Sequence, residues 1–163
     1  MELKKLIEEI VVQNGLLNEL LAVLERETAE MGDVNISAMS ISNQTKEELT
    51  GKIAEHSPVI QSAISQLSAR EGIPGTVSLG VLAEHIAKKG NRELLIKQQQ
   101  IRATAERVQQ VASLNREIAE RFSESVASSF NLITRLMNQS NVYGPAGGYK
   151  PQSVGSVMIN REA

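Results

Sequence analysis

The sequence predicts an all-α protein, an antiparallel bundle of three long helices with a short connecting helix and a disordered C-terminal tail. Apolar residues recur at helical spacings through most of the 163 residues. Aromatic residues make up only 2% of the chain, so the core must be aliphatic and rich in alanine, which suits helices packed side by side. Residues 141–163 are instead rich in Gly, Pro and polar residues, a composition typical of disorder. We therefore expect a helical bundle over 1–140 and a flexible tail over 141–163.

The first helix is predicted over about residues 2–31. Gly32 is a natural left-handed stop, and Asp33 can cap the segment that follows. The apolar residues of this helix recur at spacings of three, four or seven and so share one face: Leu3, Leu6, Ile10, Leu17, Leu20, Leu21 and Leu24.

The segment 34–71 has an ambiguous pattern. Val34, Ile36 and Ile41 partly fit a strand, but no second strand exists to pair with them, which favours a helix. Thr45 and Glu48 have capping-box spacing and indicate a helix restart. Pro58 predicts a kink or a fresh helix N-terminus.

The sequence EGIPG at 71–75 is a clear break, and a short helix is predicted after it over about 78–88. Ser78 can cap this helix, and Leu82, Ala83 and Ile86 give it an apolar face. The sequence KKGN at 88–91 ends it, with cations and glycine where a helix C-terminus favours them.

The third long helix, over about 92–139, carries the clearest pattern. Asn115 lies among its apolar positions and reads as a polar residue that sets the register, with exposure to water as the alternative. Ala112 and Ala119 are expected to face a neighbouring helix closely. The pattern, here called the heptad seam, comprises Leu94, Ile101, Val108, Asn115, Phe122, Ser129 and Leu136 together with Ala105, Ala112, Ala119, Val126 and Ile133.

The chain offers no recognisable catalytic chemistry. It has no cysteine, and neither His56 nor His85 has a glutamate three residues before it, the spacing that a di-metal bundle site needs. Both histidines are predicted to be solvated. We therefore predict no enzymatic activity, no catalytic or metal-ligating residues and no cofactor.

Charge and hydropathy limit the classes of partner. The 19 acidic and 17 basic residues nearly balance, which disfavours binding to nucleic acid. Glu8 and Glu9 interrupt the apolar run at the N-terminus, so it does not resemble a signal peptide, and no apolar stretch is long enough to span a membrane. A cytoplasmic location without stable membrane insertion is expected.

Helix lengths predict where a partner protein binds. At roughly 1.5 Å per residue the second long helix spans about 55 Å and the third about 70 Å, so roughly the last ten residues of the third are left uncovered. The alternatives are that the first helix or a second chain covers this end. The apolar residues there are predicted to contact that partner, and they are Phe130, Leu132, Ile133, Leu136 and Met137.

Two short motifs and the order of the helices resemble the FlgN-type flagellar export chaperones. The motifs are NVYGPAGGYKP, which follows the last helix from Asn141, and the step Leu114-Asn115-Arg116. The resemblance implies a cytoplasmic chaperone that binds flagellar hook-associated (hook–filament junction) proteins and delivers them to the type III export gate. It also implies client binding near Phe130–Met137 and export-gate contact at Tyr143, Gly144 and Pro145.

Two other functions remain open at this point. The chain could be a structural coiled-coil subunit, a homo-oligomer that self-associates through the heptad seam between residues 94 and 136. The segment 78–95 also invites a helix-turn-helix reading, which would make the chain a DNA-binding regulator.

Overall fold

The computed structural model describes residues 2–73, 75 and 77–139, and they form four α-helices. These are α1 (Glu2–Gly32), α2 (Ile36–Arg70), α3 (Leu79–Lys88) and α4 (Glu93–Gln139). The described residues contain no strand, so the all-α prediction is confirmed, and the ambiguous segment 34–71 is helical. The chain divides into two units, residues 1–119 and 120–163. The predicted tail, 141–163, lies outside the described residues.

Helices α1 and α2 form an antiparallel hairpin. The start of α1 meets the end of α2, where Arg70 Nη1 donates to Glu2 Oε2 at 2.6 Å. The end of α1 meets the first half of α2, where the Lys46 ammonium donates to the Glu27 carboxylate. Partners on α2 thus come earlier in the chain as those on α1 come later, which is the antiparallel order.

The core of residues 1–119 has two apolar clusters. The first joins α1, α2, α3 and the start of α4, and the second joins the middle of the α1–α2 hairpin to the middle of α4. Burial of such aliphatic side chains is the main favourable term in folding. The buried members of the first are Leu6, Ile7, Ile10, Ala63, Ile64, Leu67, Leu82, Ala83, Ile86 and Leu94. Those of the second are Leu20, Val23, Leu24 and Leu49, against which Leu16, Ile53, Val108, Val111 and Ala112 pack.

The turn between α1 and α2 differs from the prediction. The left-handed residue is Val34, with φ of 53°, and not Gly32. The Val34 amide donates to the Met31 carbonyl at 3.2 Å and the next amide to the Glu30 carbonyl at 2.9 Å, which is a Schellman arrangement. The cap of α2 is Asn35, whose side chain accepts from the Ala38 amide, so the prediction for Asp33 was also wrong.

Replacing Val34 with glycine is expected to stabilise the protein. A β-branched residue in the left-handed region is strained by roughly 1–2 kcal/mol, and Val34 is 52% exposed, so it contributes little packing. Glycine relieves the strain but costs backbone entropy, and the expected net gain is about 0.5–1 kcal/mol. Urea unfolding monitored by circular dichroism measures it. Asp33→Gly is the matched control, since Asp33 has no positive φ, and equal gains in both variants would contradict the strain argument.

Helix α2 passes through both predicted break points. Thr45 lies inside the helix, and its hydroxyl donates to the Ile41 carbonyl at 3.0 Å, so it caps nothing. Pro58 is also inside α2, and the predicted fresh N-terminus is wrong. Pro58 and Ala54, whose carbonyl loses its helical partner to the proline ring, are both exposed, so water can satisfy that carbonyl.

The two histidines pack on neighbouring helices. The His56 side chain is only 17% exposed, and its ring nitrogens lie 2.7 Å from Gln13 Oε1 and 2.8 Å from Glu9 Oε2. The prediction that His56 is solvated was therefore wrong, because α1 places two acceptors opposite it. His85 is 39% exposed, with its Nε2 4.0 Å from Glu71 Oε2. Among the described residues no three His, Asp or Glu side chains gather as a metal site would require.

The short helix α3 begins and ends as predicted. Ser78 accepts from the Val81 amide at 3.4 Å, and Gly90, with φ of 104°, follows the last turn. The Lys89 ammonium donates to Glu71 Oε2 at 2.6 Å and holds the pKa of that carboxyl below its usual value. This ion pair ties the end of α3 to the end of α2.

Candidate protein-binding face

A buried polar cluster fixes the position of α4 on α1. Asn115 is only 5% exposed, and its Nδ2 donates to the Leu24 carbonyl at 2.8 Å and to Glu27 Oε2 at 2.9 Å. The Thr28 hydroxyl donates to Asn115 Oδ1 at 2.6 Å. The Glu27 carboxylate is 8% exposed and also accepts from the Lys46 ammonium. The burial of Asn115 rules out the alternative that it faces water.

The contacts between α1 and α4 show that the two helices run in the same direction. Glu25 meets Arg107 at 2.8 Å and Thr28 meets Asn115, so partners rise together along both helices. Thr28 and Asn115 are 87 residues apart in the chain. If the same offset holds to the end of α1, Gly32 lies level with Ala119. The length of α1 therefore matches the heptad seam only as far as Ala119.

The two seam alanines differ in their surroundings. Ala112 is partly buried against the second apolar cluster, as predicted. Ala119 is exposed, so the prediction that it faces a neighbouring helix closely was wrong. It lies at a groove of about 500 Å³ that Leu20, Leu24 and Met31 also line. The groove leaves Ala119 open to water.

In the second unit, the helical segment 120–137 exposes large apolar side chains. Two of them, Phe122 and Val126, were not among the predicted client-binding residues, although the heptad seam already placed both on this side. The other five are the predicted ones. The set, here called the exposed face, consists of Phe122 (51% exposed), Val126 (41%), Phe130 (68%), Leu132 (59%), Ile133 (52%), Leu136 (57%) and Met137 (65%).

The exposed face is one broad strip along the helix. At about 100° per residue its side chains fall within an arc of about 160°, from Leu132 on one flank to Phe130 on the other. The charged residues between Phe122 and Met137 are Glu124 and Arg135, and both fall on the opposite side. Contiguous exposed apolar surface is typical of interaction sites, so this strip is the candidate binding face.

Two small polar residues of the segment donate hydrogen bonds within their own helix. The Ser129 hydroxyl donates to the Ser125 carbonyl at 2.9 Å, and the Thr134 hydroxyl donates to the Phe130 carbonyl at 2.9 Å. Ser129 lies near the middle of the exposed face. A partner can therefore cover it without leaving its hydroxyl unpaired, which removes the usual cost of burying a polar group.

The predicted export-gate residues Tyr143, Gly144 and Pro145 lie outside the described residues. The structure therefore adds nothing to the sequence reading of that motif, which remains a prediction.

Comparison with known proteins places the chain in one family. The family described as FlgN protein matches residues 1–151, which is most of the chain. No curated protein and no solved structure matches it. None of the described helices combines the length and the hydropathy that crossing a membrane requires.

Proposed function

The chain belongs to the FlgN family, a family of flagellar export chaperones, and on that premise we propose that it binds hook–filament junction proteins in the cytoplasm. It delivers these clients to the flagellar type III export gate. The observation that carries the proposal is the exposed face, since a chaperone without chemistry acts through a surface that stays open for its client.

Client binding rests on the exposed face. Its large side chains are 41–68% exposed, and covering them removes apolar surface from water at roughly 25 cal/mol per Å². The anchors Phe130, Ile133 and Met137 follow the spacing of three, four and seven by which a helix docks on another helix or in a groove. The client surface that fits this face is an amphipathic helical segment with little charge.

The binding test uses purified proteins. Titration calorimetry of the full chain with a junction protein of the same organism should give saturable binding, and the filament subunit serves as the unrelated export substrate. Failure to bind the junction protein, or equal binding of the filament subunit, would refute the proposed client class.

Delivery is assigned to a different part of the chain. The resemblance gives the export-gate contact to Tyr143 with Gly144 and Pro145, just beyond the last residues of α4. A tyrosine ring buries a large area at little side-chain entropy cost when a partner arrives, which suits a brief contact.

Tyr143→Ala is expected to separate delivery from binding. The fold and the client affinity should stay nearly unchanged, because Tyr143 is not one of the proposed client-binding residues, while secretion of the client should fall. Measuring client in the culture supernatant, with calorimetry on the purified variant, checks both parts. Tyr149→Ala is the matched control, because it removes the other tyrosine of the same segment. Normal secretion by Tyr143→Ala would exclude the proposed gate contact.

Self-association through the whole heptad seam is disfavoured. Leu94 is fully buried and Asn115 nearly so, both within residues 1–119 of a single chain. These buried seam positions are therefore covered by the chain's own helices, and among the described residues the large apolar side chains of the seam are exposed only from Phe122 onward.

A further inference from the structure

The exposed face is wider than one docked helix needs. In a two-stranded coiled coil the apolar seam is confined to the a and d positions, and charged residues flank it at e and g. Here the a and d positions are Val126, Ile133, Phe122, Ser129 and Leu136, which at about 100° per residue span only about 80°.

The flanks of that seam are apolar as well. Phe130 and Met137 lie at e positions on one side, and Leu132 lies at a g position on the other. All three are more exposed than the central Ile133, at 68%, 65% and 59% against 52%. A single helix centred on the seam would leave large apolar side chains on both of its sides in water.

An apolar arc of about 160° matches a helix that packs between two neighbours, as each helix does in a four-helix bundle. The flanks also lack the charges that would select one parallel or antiparallel partner strand. Ser129, which is small and whose hydroxyl donates to the Ser125 carbonyl, lies near the middle of the strip and allows a close approach there.

From this we infer that the exposed face binds a pair of amphipathic helices from one client molecule, one against each flank. The inference rests on the proposed function and adds the form of the partner to it. The client helix that packs on Phe130 and Met137 needs a surface that accepts an aromatic ring. The client helix that packs on Leu132 needs an aliphatic surface.

The test places a lysine on each flank in turn. In a two-stranded contact, flanking positions tolerate lysine because its long stem lets the ammonium reach water. Between two helices the ammonium is trapped in an apolar contact, so Phe130→Lys and Leu132→Lys should each weaken binding of a purified junction protein at least about 10-fold. Asn131→Lys, on the charged side of the same turn, is the matched control and should bind like the wild type. Circular dichroism verifies that each variant keeps its helicity.

The second measurement is photo-crosslinking on the full chain, with benzoylphenylalanine at position 130 or at position 132. Cross-links from the two positions should map to two different helical segments of the junction protein. Loss of affinity in one flank variant only, or in neither, overturns the two-helix contact, as do cross-links from both positions to one client segment or to a second copy of this chain. Absence of any binding by the wild type would instead refute the proposed function itself.

Discussion

Asn115→Leu is expected to lower the free energy of unfolding by about 2–4 kcal/mol, because the leucine removes hydrogen bonds that the buried Glu27 carboxylate and the Leu24 carbonyl receive. Leucine shares the branched shape of asparagine and is larger and more apolar, and its added burial opposes the loss by only about 1–2 kcal/mol. The lost hydrogen bonds outweigh the added burial, because the Glu27 carboxylate remains only 8% exposed and has fewer hydrogen-bond donors. Urea unfolding followed by circular dichroism measures the change.

Two further variants show whether this explanation is right. Asn131→Leu makes the same substitution at an exposed position of the same helix and should change stability by less than about 0.5 kcal/mol. The double variant Glu27→Met/Asn115→Leu removes the carboxylate along with its donor, and Lys46, at 24% exposed, can turn to water. It should be more stable than Asn115→Leu alone, since replacing both partners by apolar groups is far less costly than orphaning one. A double variant that simply adds the two single losses would show that Asn115 acts through packing alone.

The heptad seam explains why α4 could be predicted well from the sequence. Its period of seven placed Leu94 and Asn115 on one side, and the structure buries both. The same pattern could not reveal what faces Asn115, because Glu27, Thr28 and Lys46 lie on other helices, and which residues meet depends on the offset between helices. Whether the Glu27–Lys46 pair is buried depends on that offset, so the local sequence pattern does not predict it.

The local signals that failed did so where tertiary contacts outweigh propensity. Gly32 is the usual left-handed residue, yet Val34 adopts that conformation because the Schellman hydrogen bonds form two residues later. Pro58 is a strong breaker, yet α2 continues through it, since its packing against α1 on both sides of the proline keeps the helix intact. His56 was predicted to face water because it is polar, whereas its ring lies within hydrogen-bond distance of Glu9 and Gln13 on α1.

The candidate site could be predicted only in part, for a related reason. Phe130, Leu132, Ile133, Leu136 and Met137 were expected to be uncovered from a comparison of helix lengths, and all five are exposed. That comparison used the second long helix as the reference. Within residues 1–119 the seam packs against both α1 and α2. In the second unit Phe122 and Val126 are exposed too, which the comparison of lengths did not predict.

The largest expected effect on function is that of Ile133→Asp, which should weaken client binding at least about 100-fold, equivalent to about 2.7 kcal/mol. Ile133 lies close to the midline of the exposed face, so any partner that covers the face also covers this position. A carboxylate there has no cation on its own side of the helix, since Arg135 lies on the opposite side, and burying an unpaired charge costs more than the contact gains. The fold should be unaffected, because Ile133 is 52% exposed in the free protein.

Asn131→Asp is the matched control, as it introduces the same charge two residues away on the side that carries Glu124 and Arg135. It should bind a purified junction protein like the wild type in titration calorimetry, and both variants should keep the wild-type circular dichroism spectrum. Equal losses in the two variants would point to a long-range charge effect instead of a contact. Should Ile133→Asp bind normally while Tyr143→Ala loses the client, the roles of the two segments are reversed, because the client would then depend on the residues after α4. Loss of both binding and secretion in Ile133→Asp, with loss of secretion alone in Tyr143→Ala, is the pattern that two separate surfaces must produce.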